Sequence, residues 1–141
     1  MTTITPQQVA EHVGTAMMAN DSASRGLGIV LRSIGPGRSA LAMTVRADML
    51  NGFGICHGGF ITTLADSAFA FARNSYNDLT VAAGIAVDFL APAQLGDELV
   101  ADAVEVARAG STGLYDVAVL RGRSHRLRGR HTVPMEAGTC G

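Results

Sequence analysis

A chain of 141 residues fits one domain of ordinary size and leaves no room for a separate cofactor module. Apolar residues make up 48%, charged residues 16%, and the mean hydropathy is +0.24, the balance of a folded globular domain rather than a disordered chain. The net charge of −1 excludes a general nucleic-acid binder, which needs basic surface to neutralise phosphates.

Aromatic residues are only 5% and Trp is absent, so the apolar mass is largely Ala, Val, Leu and Met, a thin core of the kind that continues into a partner subunit. All eleven basic residues are Arg. Five of them, Arg121, Arg123, Arg126, Arg128 and Arg130, crowd the C-terminal end and leave the rest of the chain acidic. Such a block is either a solvated strand end or a local anion clamp. The two cysteines, Cys56 and Cys140, have neither disulfide-framework nor zinc spacing. The first residues, MTTITPQQVAEHV, have no basic or apolar leader character, and no run approaches eighteen apolar residues; a cytoplasmic protein without membrane contact is expected.

Val9, Val13, Ala16 and Met17 form a helical stripe, which predicts a short amphipathic helix over about 6–19 with Pro6 in its first turn. Residues 27–34 and 39–46 alternate like strands around Gly35-Pro36-Gly37 and read as a hairpin. The segment NGFGICHGG, residues 51–59, has four glycines and leads into FITTLADSAFAFARNSY, the longest predicted helix. Ile61, Leu64, Ala65, Ala68 and Ala72 share one face of it, and Phe60, Phe69 and Phe71 widen the apolar surface, so the helix is expected to be wrapped by a sheet. Strand-like stretches follow at 80–89, 98–108 and from Thr112 onward. One antiparallel sheet around one helix is the α+β solution. Residues 130–141 read as a loose tail.

Thr112 to Arg126 fits poorly, because a single strand of about fifteen residues exceeds the usual length and has no turn residue near Val117 and Ala118. A hairpin tip is missing there: the chain carries a deletion, or the numbering closes over absent residues. The second is the expectation, and a break between Cα atoms near 117–121 is its signature.

Gly58 and Gly59 stand where a loop becomes a helix, so their unpaired N–H groups and the helix dipole offer an oxyanion hole; the alternative is a turn that needs glycine only for geometry. Asp66 lies at the margin of an apolar helix, either paired with Arg73 seven residues on or retained as a base whose partial burial raises its pKa. His57 fixes a loop or acts in catalysis. Asn51 before Gly52 is equally a turn signal. Cys56 beside His57 makes no convincing dyad, and no phosphate loop, dinucleotide fingerprint, G-x-S-x-G elbow or H-E-x-x-H occurs.

The run MLNGFGICHGGFITTLADSAFAFARNS resembles the hotdog-fold acyl-CoA thioesterases of the phenylacetic-acid-degradation (PaaI) type. NDSASRGLGI at 20–29, VDFLAPAQLGDELVADA at 87–103, TGLYDV at 112–117 and RGRSHRL at 121–127 extend the likeness along nearly the whole chain. The resemblance implies a hotdog fold: an antiparallel sheet of five to six strands around one central helix, filling residues 1–129 as a single domain. It implies an acyl-CoA thioesterase acting on (hydroxy)phenylacetyl or related aryl or medium acyl groups, with no metal and no cofactor, since CoA belongs to the substrate. It also implies a homodimer with the site at its interface, pairing into a homotetramer.

By position, Asp66 resembles the catalytic carboxylate, as nucleophile or general base, and Gly58 the amide that polarises the thioester carbonyl. Asn51 resembles the asparagine that orients water or carboxylate across the interface, and His57 the motif histidine that holds the loop and supports binding. Gly59 and Ser67 are expected substrate contacts, and Arg121 or Arg123 would meet the CoA phosphates. Relatives carry about ten more residues between the YDV and RGRSHR segments than this chain, which has Ala118 to Leu120 there. The competing readings are a non-catalytic acyl-CoA sensor on the same fold, and an enoyl-thioester hydratase, which needs a differently spaced His and acid.

Overall fold

A computed structural model of the chain describes residues 3–122 and, as backbone only, residues 131–139. Helix α1 spans Pro6–Asn20 and starts in a capping box: the Thr5 hydroxyl accepts from Gln8 N–H at 3.2 Å, while Gln8 Oε1 accepts from Thr5 N–H at 2.9 Å. Its closest approach to the sheet is through Ala10 and Gly14 rather than the predicted stripe. A Cβ on Gly14 would lie 2.8 Å from Leu31 Cδ2, so a larger residue there would force that side chain to move. A five-residue helix, α2 (Ser22–Gly26), follows, between the predicted helix and the predicted hairpin.

Strands β1 (Val30–Gly35) and β2 (Arg38–Thr44) form the predicted hairpin, with Gly37 at φ +71°. A 3-10 turn at Ala47–Met49 and the glycine-rich loop lead into helix α3, Gly58–Asn74. After it come β3 (Thr80–Ile85), β4 (Asp88–Phe89), β5 (Glu98–Ala109), β6 (Thr112–Arg121) and β7 (His131–Thr139). All pairs are antiparallel. The sheet order is β1-β2-β5-β6-β7-β3, with β4 on β7.

Helix α3 packs chiefly on β2 and β5. Leu41 and Met43, Leu99, Ala101 and Ala103, and Tyr115, Val117 and Val119 alternate inward from three strands against Ile61, Leu64, Ala65, Ala68, Phe69, Phe71 and Ala72, all buried. Each large apolar side chain so buried contributes about 1.5–3 kcal/mol. The facing alanines bring helix and sheet close enough for Ser39 Oγ to donate to Ala68 O at 2.6 Å. This is the α+β hotdog arrangement expected, with seven strands in place of five or six because the predicted 80–89 strand breaks into β3 and β4 and a last strand joins the sheet.

Two expectations are corrected. No break interrupts residues 117–121: Val117 to Arg121 pair in unbroken register with Ala103 to Leu99. The strand stops at Gly122, whose φ of +68° supplies the turn that patterning failed to find. The tail is not loose over 131–139, since that segment is β7 and fills the place between β6 and β3. Pro134, which has no N–H to give, falls between the stretch of β7 paired with β3 and the stretch paired with β4.

Candidate active site

The loop before α3 is built by its own backbone. Asn51 N–H donates to Ile55 O at 2.8 Å and Gly54 N–H to Asn51 O at 3.0 Å, with Gly54 at φ +74°. The Asn51 Oδ1 accepts from Phe53 N–H at 2.9 Å and Ile55 N–H at 3.4 Å, while its Nδ2 donor has no partner among the described residues. Cys56 N–H donates to Ala93 O and His57 N–H to Met49 O, both at 2.8 Å. Thus His57 fixes the loop through its backbone; its exposed side chain makes no capping bond.

The N–H groups of Gly58 and Gly59 open α3 with no acceptor among the described residues. Gly58 lines a cleft of about 540 Å³ with Asn51, Ile55, Cys56 and Ile61, facing residues 89–92. The Phe89 ring lies against Gly58, where an added Cβ would come within 2.8 Å of its Cζ. The missing Cβ leaves room for that close approach, and would do the same for a carbonyl reaching the helix terminus. Gly59 is open. The cleft wall of Phe89, Leu90 and Pro92 was missed by sequence reasoning, which saw there a strand end and a turn; the apolar FLAP run in an interrupted strand was its only trace.

Asp66 stands eight residues beyond Gly58, about 12 Å along the helix. It does not line the cleft. It is exposed, yet crowded: desolvation first and the Asp21 carboxylate second raise its pKa above the ordinary 3.8. Arg73, its partner in the alternative reading, is turned into the core, where Nε and Nη1 have no hydrogen-bond partner among the described residues. Ser67, expected to touch substrate, is buried, and its hydroxyl bonds Ser24 Oγ at 2.9 Å. Arg121 pairs with Asp97 at 3.6 Å at the end of β6, away from the residues of the cleft; Arg123 lies outside the described residues. Among the described residues no three metal-ligating side chains are grouped to hold an ion, and no helix is long and apolar enough to cross a membrane.

The thioesterase superfamily model matches residues 53–127, which run from the glycine-rich loop through α3 and on through β3 to β6. The chain is 42% identical over 127 residues to the acyl-coenzyme A thioesterase PaaI of Escherichia coli, spanning 83% of this chain and 91% of that protein. The chain belongs to the thioesterase superfamily. Within it the relatives place this thioesterase with the PaaI-type hotdog enzymes, a family of thioester hydrolases. The solved structure of the E. coli PaaI protein from the phenylacetic acid degradation operon superposes with a TM-score of 0.91 at 34% identity, covering 97% of both chains. A mutant of the phenylacetic acid degradation protein PaaI from Thermus thermophilus superposes at 0.79 and 32%, covering 85% of this thioesterase and all of that chain.

Proposed function

We propose that this thioesterase hydrolyses aryl or medium-chain acyl-CoA, of the (hydroxy)phenylacetyl kind, at a site assembled from two copies of the chain. The carrying observation is the separation within one chain: Asn51 and the Gly58 amide share a cleft that Asp66 does not line. A second copy supplies the missing carboxylate. A route to that copy is the edge strand β3, whose outer side is free of any described strand and where Val81 and Ile85 are exposed, as Phe89 and Leu90 are in and after β4. Dimers joined there would pair again into a tetramer.

In this reading the thioester carbonyl oxygen takes the N–H of Gly58, where the helix dipole favours the negative charge that develops. Asp66 of the partner copy acts as general base, a role its raised pKa suits. It takes a proton from water, the hydroxide adds to the carbonyl carbon, and the tetrahedral intermediate expels CoA thiolate, which recovers the proton. Asn51 Nδ2 orients the water, and His57 holds the loop through its N–H on Met49 O. No cofactor takes part, because CoA arrives as substrate. Phe89, Ile61 and Leu90 give the acyl group an apolar wall. Arg121 and Arg123 remain the candidates for the CoA phosphates.

The experiment is a thiol-release assay over phenylacetyl, hydroxyphenylacetyl, benzoyl and straight-chain CoA esters, with Asp66→Asn alongside. The variant is expected to lose about 10² or more in kcat. Near-normal turnover by Asp66→Asn would refute the carboxylate's role, and tight binding of every ester without thiol release would make the protein a sensor.

A further inference from the structure

We propose that Asp21 is a positioning residue of this site: through Ser24 and Ser67 it fixes the turn of α3 that carries Asp66, and it sets a second carboxylate within electrostatic reach. The inference rests on the reading of Asp66 as the base.

Asp21 stands between two helices. Its N–H closes α1 on Met18 O at 3.3 Å, and its Oδ1 caps α2 by accepting from Ser24 N–H at 2.9 Å. The other oxygen, Oδ2, is 2.7 Å from Ser24 Oγ, which in turn is 2.9 Å from Ser67 Oγ. An ionised carboxylate only accepts, so the Ser24 proton is committed to Asp21 and Ser67 must donate to Ser24. The chain therefore has one direction, Ser67 to Ser24 to Asp21, and ends on a charge, which strengthens each bond in it. Its two hydroxyls are 2% and 8% exposed, where a broken bond is not replaced by water without cost.

The geometry gives α2 a purpose that five residues of sequence do not show. At its start the chain docks it on α3 at the residue next to Asp66; at its end Gly26 O accepts from Arg46 Nη1 at 2.9 Å, four residues before the Leu50 to Cys56 bridge that frames the cleft loop. It braces the carboxylate's turn against the chain that leads to Asn51. The same placement has an electrostatic effect, because after desolvation the Asp21 charge is what raises the Asp66 pKa. Among the described residues the other charges near this half of α3 are engaged or exposed. Arg46 makes two bonds to Asp48, Glu11 accepts from Gln7, and His12, Arg25 and His57 are exposed. The strands beneath turn Leu41, Met43, Leu99, Ala101 and Ala103 to the helix, and Arg73 and Tyr115 lie at its other end.

The test combines phenylacetyl-CoA hydrolysis with carboxyl carbon-13 NMR of Asp66 in the full chain. Asp21→Asn keeps a cap acceptor and removes the charge. Both the acid limb of kcat/KM and the Asp66 NMR midpoint are expected to move to lower pH, since a like charge no longer opposes ionisation. Ser67→Ala keeps the charge and cuts the chain; kcat is expected to fall about tenfold with KM and the acid limb unmoved, and Ser67→Thr, which retains the hydroxyl, to recover it. An unmoved Asp66 midpoint in Asp21→Asn, or parental kcat in Ser67→Ala, overturns the proposal. Asp66→Asn separates the reading beneath it: full turnover by that variant would end the positioning role together with the base, while the NMR midpoint, read without turnover, still reports the Asp21 charge.

Discussion

At the N-terminal end of α3 the N–H groups of Gly58 and Gly59 have no acceptor among the described residues; at its C-terminal end Arg73 Nε and Nη1 and the Tyr115 hydroxyl are equally without partners. The first pair borders a cleft of about 540 Å³. The second set is closed in, with Arg73 only 2% exposed and Tyr115 fully buried, the Phe69 ring standing edge-on to Tyr115 at 5.4 Å. Burial first and the Glu105 carboxylate second push the Tyr115 phenol up to about 12, so it stays protonated. Around them Tyr76 donates to Glu105, Arg108 stacks 4.0 Å over the Tyr76 ring, and Ser75 Oγ accepts from Gly37 N–H at 2.8 Å, clasping the helix end to the β1–β2 turn. Unsatisfied polar atoms therefore mark a site only where an opening meets them. Without one they are a cost to stability.

The open end of α3 is most sensitive at Gly58. In Gly58→Ala the new Cβ meets Phe89 carbons at 2.8 to 3.3 Å, so either the ring or the helix terminus must shift. Moving the amide that polarises the carbonyl is expected to lower kcat by about 10². Gly58→Ala with Phe89→Ala should recover part of that loss, a coupling that a double-mutant cycle measures. Two independent, additive losses would mean that the ring does not dictate the glycine.

Arg73 tests the other end. Replacing it by Met removes a buried charge whose Nε and Nη1 are unpaired and leaves Glu105 with Tyr76 and Arg108. Arg73→Met is expected to keep kcat within about twofold and to leave unfolding free energy equal or about 1 kcal/mol higher. A marked loss of stability in a denaturant titration would show that the guanidinium is satisfied in the assembled protein, and that this end too has a partner.

The same pair of charges shows where sequence reading succeeds and fails. Period 3.6 placed Asp66 and Arg73 on one side of α3, and the helix is where patterning put it, its apolar stripe buried as expected. Periodicity cannot say how far the sheet covers that side. Gly113 and Tyr115 of β6 close over Arg73, an added Gly113 Cβ lying 3.5 Å from its Nε, whereas among the described residues nothing similar covers Asp66, and the two do not pair. Asn51, Gly58 and their cleft were legible as a motif because loop and helix start are contiguous in sequence. Phe89 was not, since its approach to Gly58 spans thirty-one positions. α2 escaped because five residues carry no period, and β7 because Gly122 at φ +68° hid the end of β6 inside an arginine-rich run.

The smallest effect sharpens the comparison by reading Asp66 as a cost as well as a tool. Its pKa in the folded chain lies above the 3.8 of an ordinary Asp, so the folded state holds the proton more tightly than the unfolded state does. Stability then falls as pH rises from about 3.8 through the folded value and stays lowered above it. Because Asp66 is exposed, solvent screens much of this, and the difference is modest. Asp66→Asn should thus be slightly more stable than the parent at neutral pH, with the gap closing below about pH 4, at matched protein concentration so that association contributes equally. Paired thermal unfolding curves from pH 3 to 8 measure it. A variant less stable at neutral pH would mean that a favourable partner holds the carboxylate in the assembly, and that the base is stabilised by the same interface that completes its site.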